Sequence, residues 1–145
     1  MRVSQACFVA LAFVVVILAI AGLQPTVAQN ATAHASLQTK SGASVGEVIF
    51  TQQEGGKTTV AVKVHDLPPG FHGFHVHTVG KCDGSTEAPF SSAGAHFNAA
   101  QHMHPGHNGD LPVLMVMADG TGDMNVTTDR FTVEQILSNP GGTPI

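Results

Sequence analysis

The chain has 145 residues, with six Lys/Arg against ten Asp/Glu and neither Trp nor Tyr. That length favours one domain, and a mildly acidic chain without a basic patch or stacking aromatics excludes nucleic acid as a partner. Histidine is the informative residue: eight of the nine fall between His65 and His107, a bias that points to metal.

The N-terminal stretch differs from the rest. Residues 1–5 carry one positive charge, Arg2, residues 6–23 form an unbroken apolar run, and Gln24, Pro25 and Thr26 end it before the small residue Ala28. Basic, apolar and small-residue regions in that order read as a secretory signal peptide over residues 1–28. An uncleaved membrane anchor is the other reading, because the run reaches the lower limit for a bilayer span. Either way the protein is expected to be exported, periplasmic or extracellular, and to meet a membrane only through this segment. The remaining domain, residues 29–145, keeps one cysteine, Cys82, an anomaly in an oxidising compartment where cysteines usually pair.

Residues 29–34 read as a flexible leader. Residues 36–39 and 45–51 have short, partly alternating β character, and residues 58–65 (TTVAVKVH) set Val60, Val62 and Val64 against Ala61, Lys63 and His65 with the period of a strand. Asp66 to Gly70 (DLPPG) is a turn, since two prolines and a glycine cannot continue a ladder. Residues 71–78 return as a strand. A connection rich in Gly, Ser, Asn, Pro and His then runs over residues 79–109. Strands are expected again over 111–117 and 123–128, and residues 131–138 (FTVEQILS) are a helical turn or an irregular segment. Short strands with turn signals and no long amphipathic helix predict an antiparallel sandwich or barrel. A connection of about thirty residues without structure of its own is normally functional, and this one holds most of the histidines.

His75-Val76-His77 is one half of a metal site: on an extended strand, residues two apart face the same side, and imidazole suits Cu or Zn. Taken alone, H-x-H describes solvent-facing pairs as readily. His72, three residues earlier, faces the other way and is either an orienter of a ligand or a histidine bonded to backbone. The long connection offers His96, His102, His104, His107 and Asp110. An H-x-x-H-x-x-D series with one more histidine gives three nitrogens and a carboxylate, a complete tetrahedral zinc shell.

Gly73-Phe74-His75-Val76-His77, Ser92-Ala93-Gly94-Ala95-His96-Phe97-Asn98 and His107-Asn108-Gly109-Asp110-Leu111-Pro112, in this order, resemble the linked motifs of the copper/zinc superoxide dismutases. The resemblance covers roughly residues 35–145. It implies an all-β fold, an eight-stranded antiparallel Greek-key barrel. It implies copper on His75, His77 and His96, and zinc on His96, His104, His107 and Asp110, with His102 as a substitute for His104. His96 would bridge the two metals and carry the catalytic proton, and Cys82 matches the first cysteine of the family's disulfide. The activity implied is conversion of superoxide to O2 and H2O2; the alternative is a non-enzymatic copper/zinc-binding module on the same scaffold. A homodimer is an open expectation. The family continues with a final strand carrying a fourth copper histidine, an arginine and the second cysteine. No histidine follows His107 here, so the chain is expected to be incomplete at its C-terminus, with the last strand or strands missing.

Overall fold

A computed structural model describes residues 30–139. The expected signal peptide over residues 1–28 and the segment after Asn139 lie outside the described residues. Six strands form two antiparallel sheets: β1 (Thr32–Gln38), β2 (Ser44–Gln52), β3 (Thr58–Val64) and β6 (Gly122–Thr128) in the order β1-β2-β3-β6, and β4 (Gly70–His72) with β5 (Leu114–Val116). One short helix, α1 (Val133–Leu137), follows.

The alternation in β3 buries Thr58, Val60, Val62 and Val64 on one face, and these valines pair with Val126 and Met124 of β6 and with Phe50 and Val48 of β2. In β2 the inward residues Val45 and Val48 are an odd number of positions apart. The register explains it: Leu37 opposes Gly46 but Gln38 opposes Ser44, leaving Val45 as the extra residue of a β-bulge. Gly46 carries this bulge with φ of +153°, and a Cβ there would lie 2.2 Å from the Lys63 carbonyl oxygen, so only glycine fits.

The core continues through Phe74, Val76, Phe97, Leu111, Leu114 and Val116 to Phe131, Val133 and Ile136. Phe131 meets Phe50 edge-on, with ring centroids 6.0 Å apart, an arrangement that suits the quadrupoles of the two rings. The buried Thr58 hydroxyl donates to the Phe131 carbonyl at 2.9 Å, which satisfies the one polar group on the inner face of β3. The helix is fixed by a capping box. The Thr132 hydroxyl accepts from the Gln135 amide and the Gln135 side chain accepts from the Thr132 amide, satisfying two of the free donors of the first turn.

Three expectations change. Residues 32–34 are not a leader: the Gln52 amide donates to the Ala31 carbonyl and Thr32, Ala33 and His34 pair with Thr51, Phe50 and Ile49, so edge pairing with β2 orders them. The strand expected over residues 71–78 is regular only as Gly70–His72; beyond it, His75 and His77 are held by isolated bridges to Asp110 and His96. Likewise only Leu114–Val116 of residues 111–117 is strand. The expected helical turn is α1.

Phe131→Ala should destabilise the protein by about 3–5 kcal/mol in denaturant unfolding, the usual cost of emptying a buried aromatic site. A loss under 1 kcal/mol would mean that this end of the core is not close-packed.

Candidate metal centre

The long connection is stitched to the extended segment that follows β4 by main-chain bonds. The Val76 amide donates to the Gly109 carbonyl at 3.0 Å, the Phe97 amide to the Val76 carbonyl at 2.7 Å and the Gly109 amide to the Phe97 carbonyl at 2.7 Å. Leu111 and Thr78 bond Phe74 and Ala95 in the same way. Alternation does the rest: Phe74, Val76 and Phe97 enter the core, while His75, His77 and His96 lie on the other side, half-buried. Gly109 is required for this approach, because a Cβ there would lie 2.3 Å from the Val76 carbonyl oxygen.

Asp110 is the centre of the cluster, with only 7% of its surface exposed. Its Oδ1 accepts from His96 Nδ1 at 2.7 Å, and its Oδ2 accepts from the His107 amide at 3.0 Å. His104 Nδ1 and His107 Nδ1 approach Oδ2 at 3.1 and 3.3 Å, and His75 Nδ1 approaches Oδ1 at 3.5 Å. Burial pushes the carboxyl of Asp110 up, but the His96 bond, the His107 amide and the nearby imidazoles outweigh it and hold the group below its ordinary range. The carboxylate therefore stays charged. Burial, followed by the neighbouring His96, lowers His75 against the pull of Asp110, so its ring stays neutral and keeps a lone pair.

The ring of His96 is the common member. It stacks on His75 with centroids 4.0 Å apart and an interplanar angle of 17°, and it meets His77, His104 and His107 edge-on. His77 Nδ1 donates to the Gly94 carbonyl at 2.9 Å, which fixes its tautomer and leaves Nε2 with the lone pair.

Four of these residues fit a metal ion. One donor atom from each of His96, His104, His107 and Asp110 lies within 4.8 Å of the others. Two ligands about 2.0–2.1 Å from a tetrahedral zinc ion lie about 3.3 Å apart, and the His104 and His107 nitrogens lie 3.1 and 3.3 Å from Asp110 Oδ2. Two buried nitrogens, His75 Nδ1 and His107 Nδ1, have no hydrogen-bond partner. Buried polar atoms are rarely left so unless something else is meant to satisfy them.

The expected residues divide as follows. His75, His77, His96, His104, His107 and Asp110 come together. His102 is outside the four-residue group: it is exposed, and its main chain bonds the Asn98 side chain. His72 Nε2 donates to the Pro68 carbonyl at 2.8 Å, tying β4 to the preceding turn. Cys82 is exposed and is a free thiol among the described residues. It lines, with His77, Lys40 and Phe90, a cavity of about 500 Å³. Reading the sequence missed Arg130, whose guanidinium bonds the connection, because its acceptors are main-chain carbonyls.

Residues 44–143 match the sequence profile of a family described as copper/zinc superoxide dismutase (SODC). The chain belongs to the copper/zinc superoxide dismutase family. It is 40% identical over 123 residues to a superoxide dismutase [Cu-Zn] of Mycolicibacterium paratuberculosis, covering 78% of this chain and 53% of the relative. It is 43% identical over 102 residues to superoxide dismutase [Cu-Zn] 2 of Salmonella typhimurium, covering 62% and 57%. Thus the chain spans about half the length of these curated relatives. Its fold is similar to that of the Cu/Zn superoxide dismutase from Brucella abortus, with a TM-score of 0.64 and 28% identity over 76% of this chain and 80% of that one. A SOD-like protein from Bacillus subtilis is similar at a TM-score of 0.57 and 32% identity, over 66% and 67%. The all-β antiparallel fold and the copper and zinc cofactors are those of this family.

Gly109→Ala should cost about 1–3 kcal/mol, the usual price of overpacking, and should speed amide exchange at Val76 and Phe97. Unchanged exchange at both amides would show that the connection is not held by this close approach.

Proposed function

We propose that the chain carries the metal-binding core of a copper/zinc superoxide dismutase, which converts two superoxide anions and two protons into O2 and H2O2. The observation that carries the reading is the shared position of His96. Its Nδ1 faces Asp110, and its ring contacts the histidines of both halves of the cluster. On this reading His75, His77 and His96 hold copper, and His96, His104, His107 and Asp110 hold zinc. When bound, copper supplies a one-electron redox couple and zinc supplies a fixed positive charge.

The chain's own groups do the rest. The Gly94 carbonyl orients His77 so that Nε2 is presented as a donor. In the metal-free cluster Asp110 orients the His96 ring through Nδ1, and Nε2 is the ring nitrogen left free of the carboxylate, the one that would take up and release a proton. Lys40 lines the cavity beside His77, and a cation near the site would favour entry of a small anion.

The proposal extends to export, supported by the basic, apolar and small-residue order of residues 1–28, with the protein acting in the periplasm or outside the cell. It extends also to a homodimer. Phe71 and Met115 face each other across β4 and β5 and are 73% and 53% exposed, an apolar pair that a second copy would cover. Among the described residues no helix is long and apolar enough to cross a membrane.

The test is the full chain loaded with copper and zinc, alongside His75→Ala and Asp110→Ala. The expected result is both metals in the unmodified chain, with copper lost selectively in His75→Ala and zinc in Asp110→Ala, and dismutation by the chain extended with a family-like final strand that supplies the fourth copper histidine and the arginine, with little or none from residues 29–145 alone. If both variants lose the same single metal and the other is never bound, the two-site reading is wrong. Full binding of both metals without dismutation by the extended chain would favour the non-enzymatic module. Export is checked by the mass of protein recovered outside the cytoplasm, where a chain retaining residues 1–28 would show that the segment is not removed.

A further inference from the structure

The guanidinium of Arg130 lies against the metal-binding connection and not against a carboxylate. A single nitrogen, Nη1, is 3.1 Å from the Pro105 carbonyl oxygen, 3.0 Å from that of His107 and 3.1 Å from that of Asp110. Nη1 carries two hydrogens, so one of them is shared between two acceptors. Among the described residues no Asp or Glu pairs with this cation. Its charge is offset by three converging carbonyl dipoles.

The contact is reciprocal. The Asn108 side chain donates to the Arg130 carbonyl, and its Oδ1 accepts from the Ala100 amide at 2.9 Å. Arg130 itself follows β6, which is laddered to β3 along its whole length, and its amide donates to the Thr128 hydroxyl. A rigid sheet is therefore connected, through one side chain, to the backbone of two members of the Asp110 cluster and to the residue after a third, His104.

That backbone is held also at Gly109, by Val76 and Phe97, and at His107, by the Asp110 carboxylate, but the ligand side chains themselves have few partners. His104 is 60% exposed on its side chain, and His107 Nδ1 makes no hydrogen bond. Ligands held by few contacts of their own depend on the groups behind them for their orientation.

We propose that Arg130 is a positioning residue that sets the backbone of residues 105–110, and through it the geometry of the His96, His104, His107 and Asp110 metal set. The inference rests on the reading of those four residues as one metal site. Arg130 touches none of the donor atoms, so its removal alters how well the donors converge, not how many there are.

Cobalt(II) is the probe, because it reports a tetrahedral N/O site by its visible absorption as well as by its affinity. Arg130→Ala should raise the cobalt dissociation constant about 10–100-fold, the usual effect of removing a group that orients ligands, and should weaken the tetrahedral absorption bands. Arg130→Lys should recover part of both. Its ammonium has three hydrogens for three carbonyls, but its stem is one bond shorter. Arg130→Gln, which has neither reach nor charge, should resemble Arg130→Ala.

Val133→Ala, a core change in α1, is the control for general loss of stability. At matched unfolding midpoints of the metal-free proteins it should leave the cobalt spectrum unchanged. Wild-type affinity and spectrum in Arg130→Ala would overturn the inference, as would an equal loss in Val133→Ala. If the unmodified chain binds cobalt without a tetrahedral spectrum, or if Asp110→Ala binds it as well, the metal-site reading itself fails and the inference fails with it.

Discussion

The site depends on one buried carboxylate. Asp110 is almost wholly enclosed, and an isolated charge in that position would be costly. It persists because its two oxygens collect a hydrogen bond from His96, another from the His107 amide, and close approaches from His75, His104 and His107. The imidazoles need this anion as much as it needs them: without it, several rings that can each become cationic would crowd one another. The carboxylate thus serves as the counter-charge around which the metal-free cluster keeps its arrangement.

The packed strands supply the walls for that arrangement. Alternation along residues 74–77 commits Phe74 and Val76 to the core, so His75 and His77 have no choice of face. The bonds from Val76 to Gly109 and Phe97 then bring the far end of a long connection onto the same strand. Here the irregular backbone, not the regular sheet, carries the chemistry, and the sheet contributes a rigid surface on which the irregular part is hung.

Much of this was legible in the sequence, for identifiable reasons. β3 declares itself because Val60, Val62 and Val64 alternate without a break. The histidines and Asp110 declare themselves by type and spacing, and the three linked motifs by their order. β1 was only partly visible because its inward residues Ala33 and Ala35 are small and give a weak apolar signal, while pairing with β2 does the ordering. The strand after β4 looked continuous because its side chains alternate. What ends the ladder is a change of partner, from β5 to the loop residues Asp110 and His96, and no local pattern announces that. Arg130 was invisible for a related reason: main-chain carbonyls at positions 105, 107 and 110 carry no side-chain signal.

The donors of the Asp110 cluster are covered very unequally. The His104 side chain is 60% exposed, those of His96 and His107 are 26% and 23% exposed, and that of Asp110 is 5%. Ligands release an ion one at a time, and water competes first where it has access. An ion held here would loosen from His104, then pass through a state retained by three better-covered donors, with the carboxylate last to let go. Capture would run in reverse, the anion drawing the cation in before the outer imidazole closes over it. Exchange of an ion held by these four residues would then be more sensitive to changes at exposed His104 than to changes at the better-covered donors.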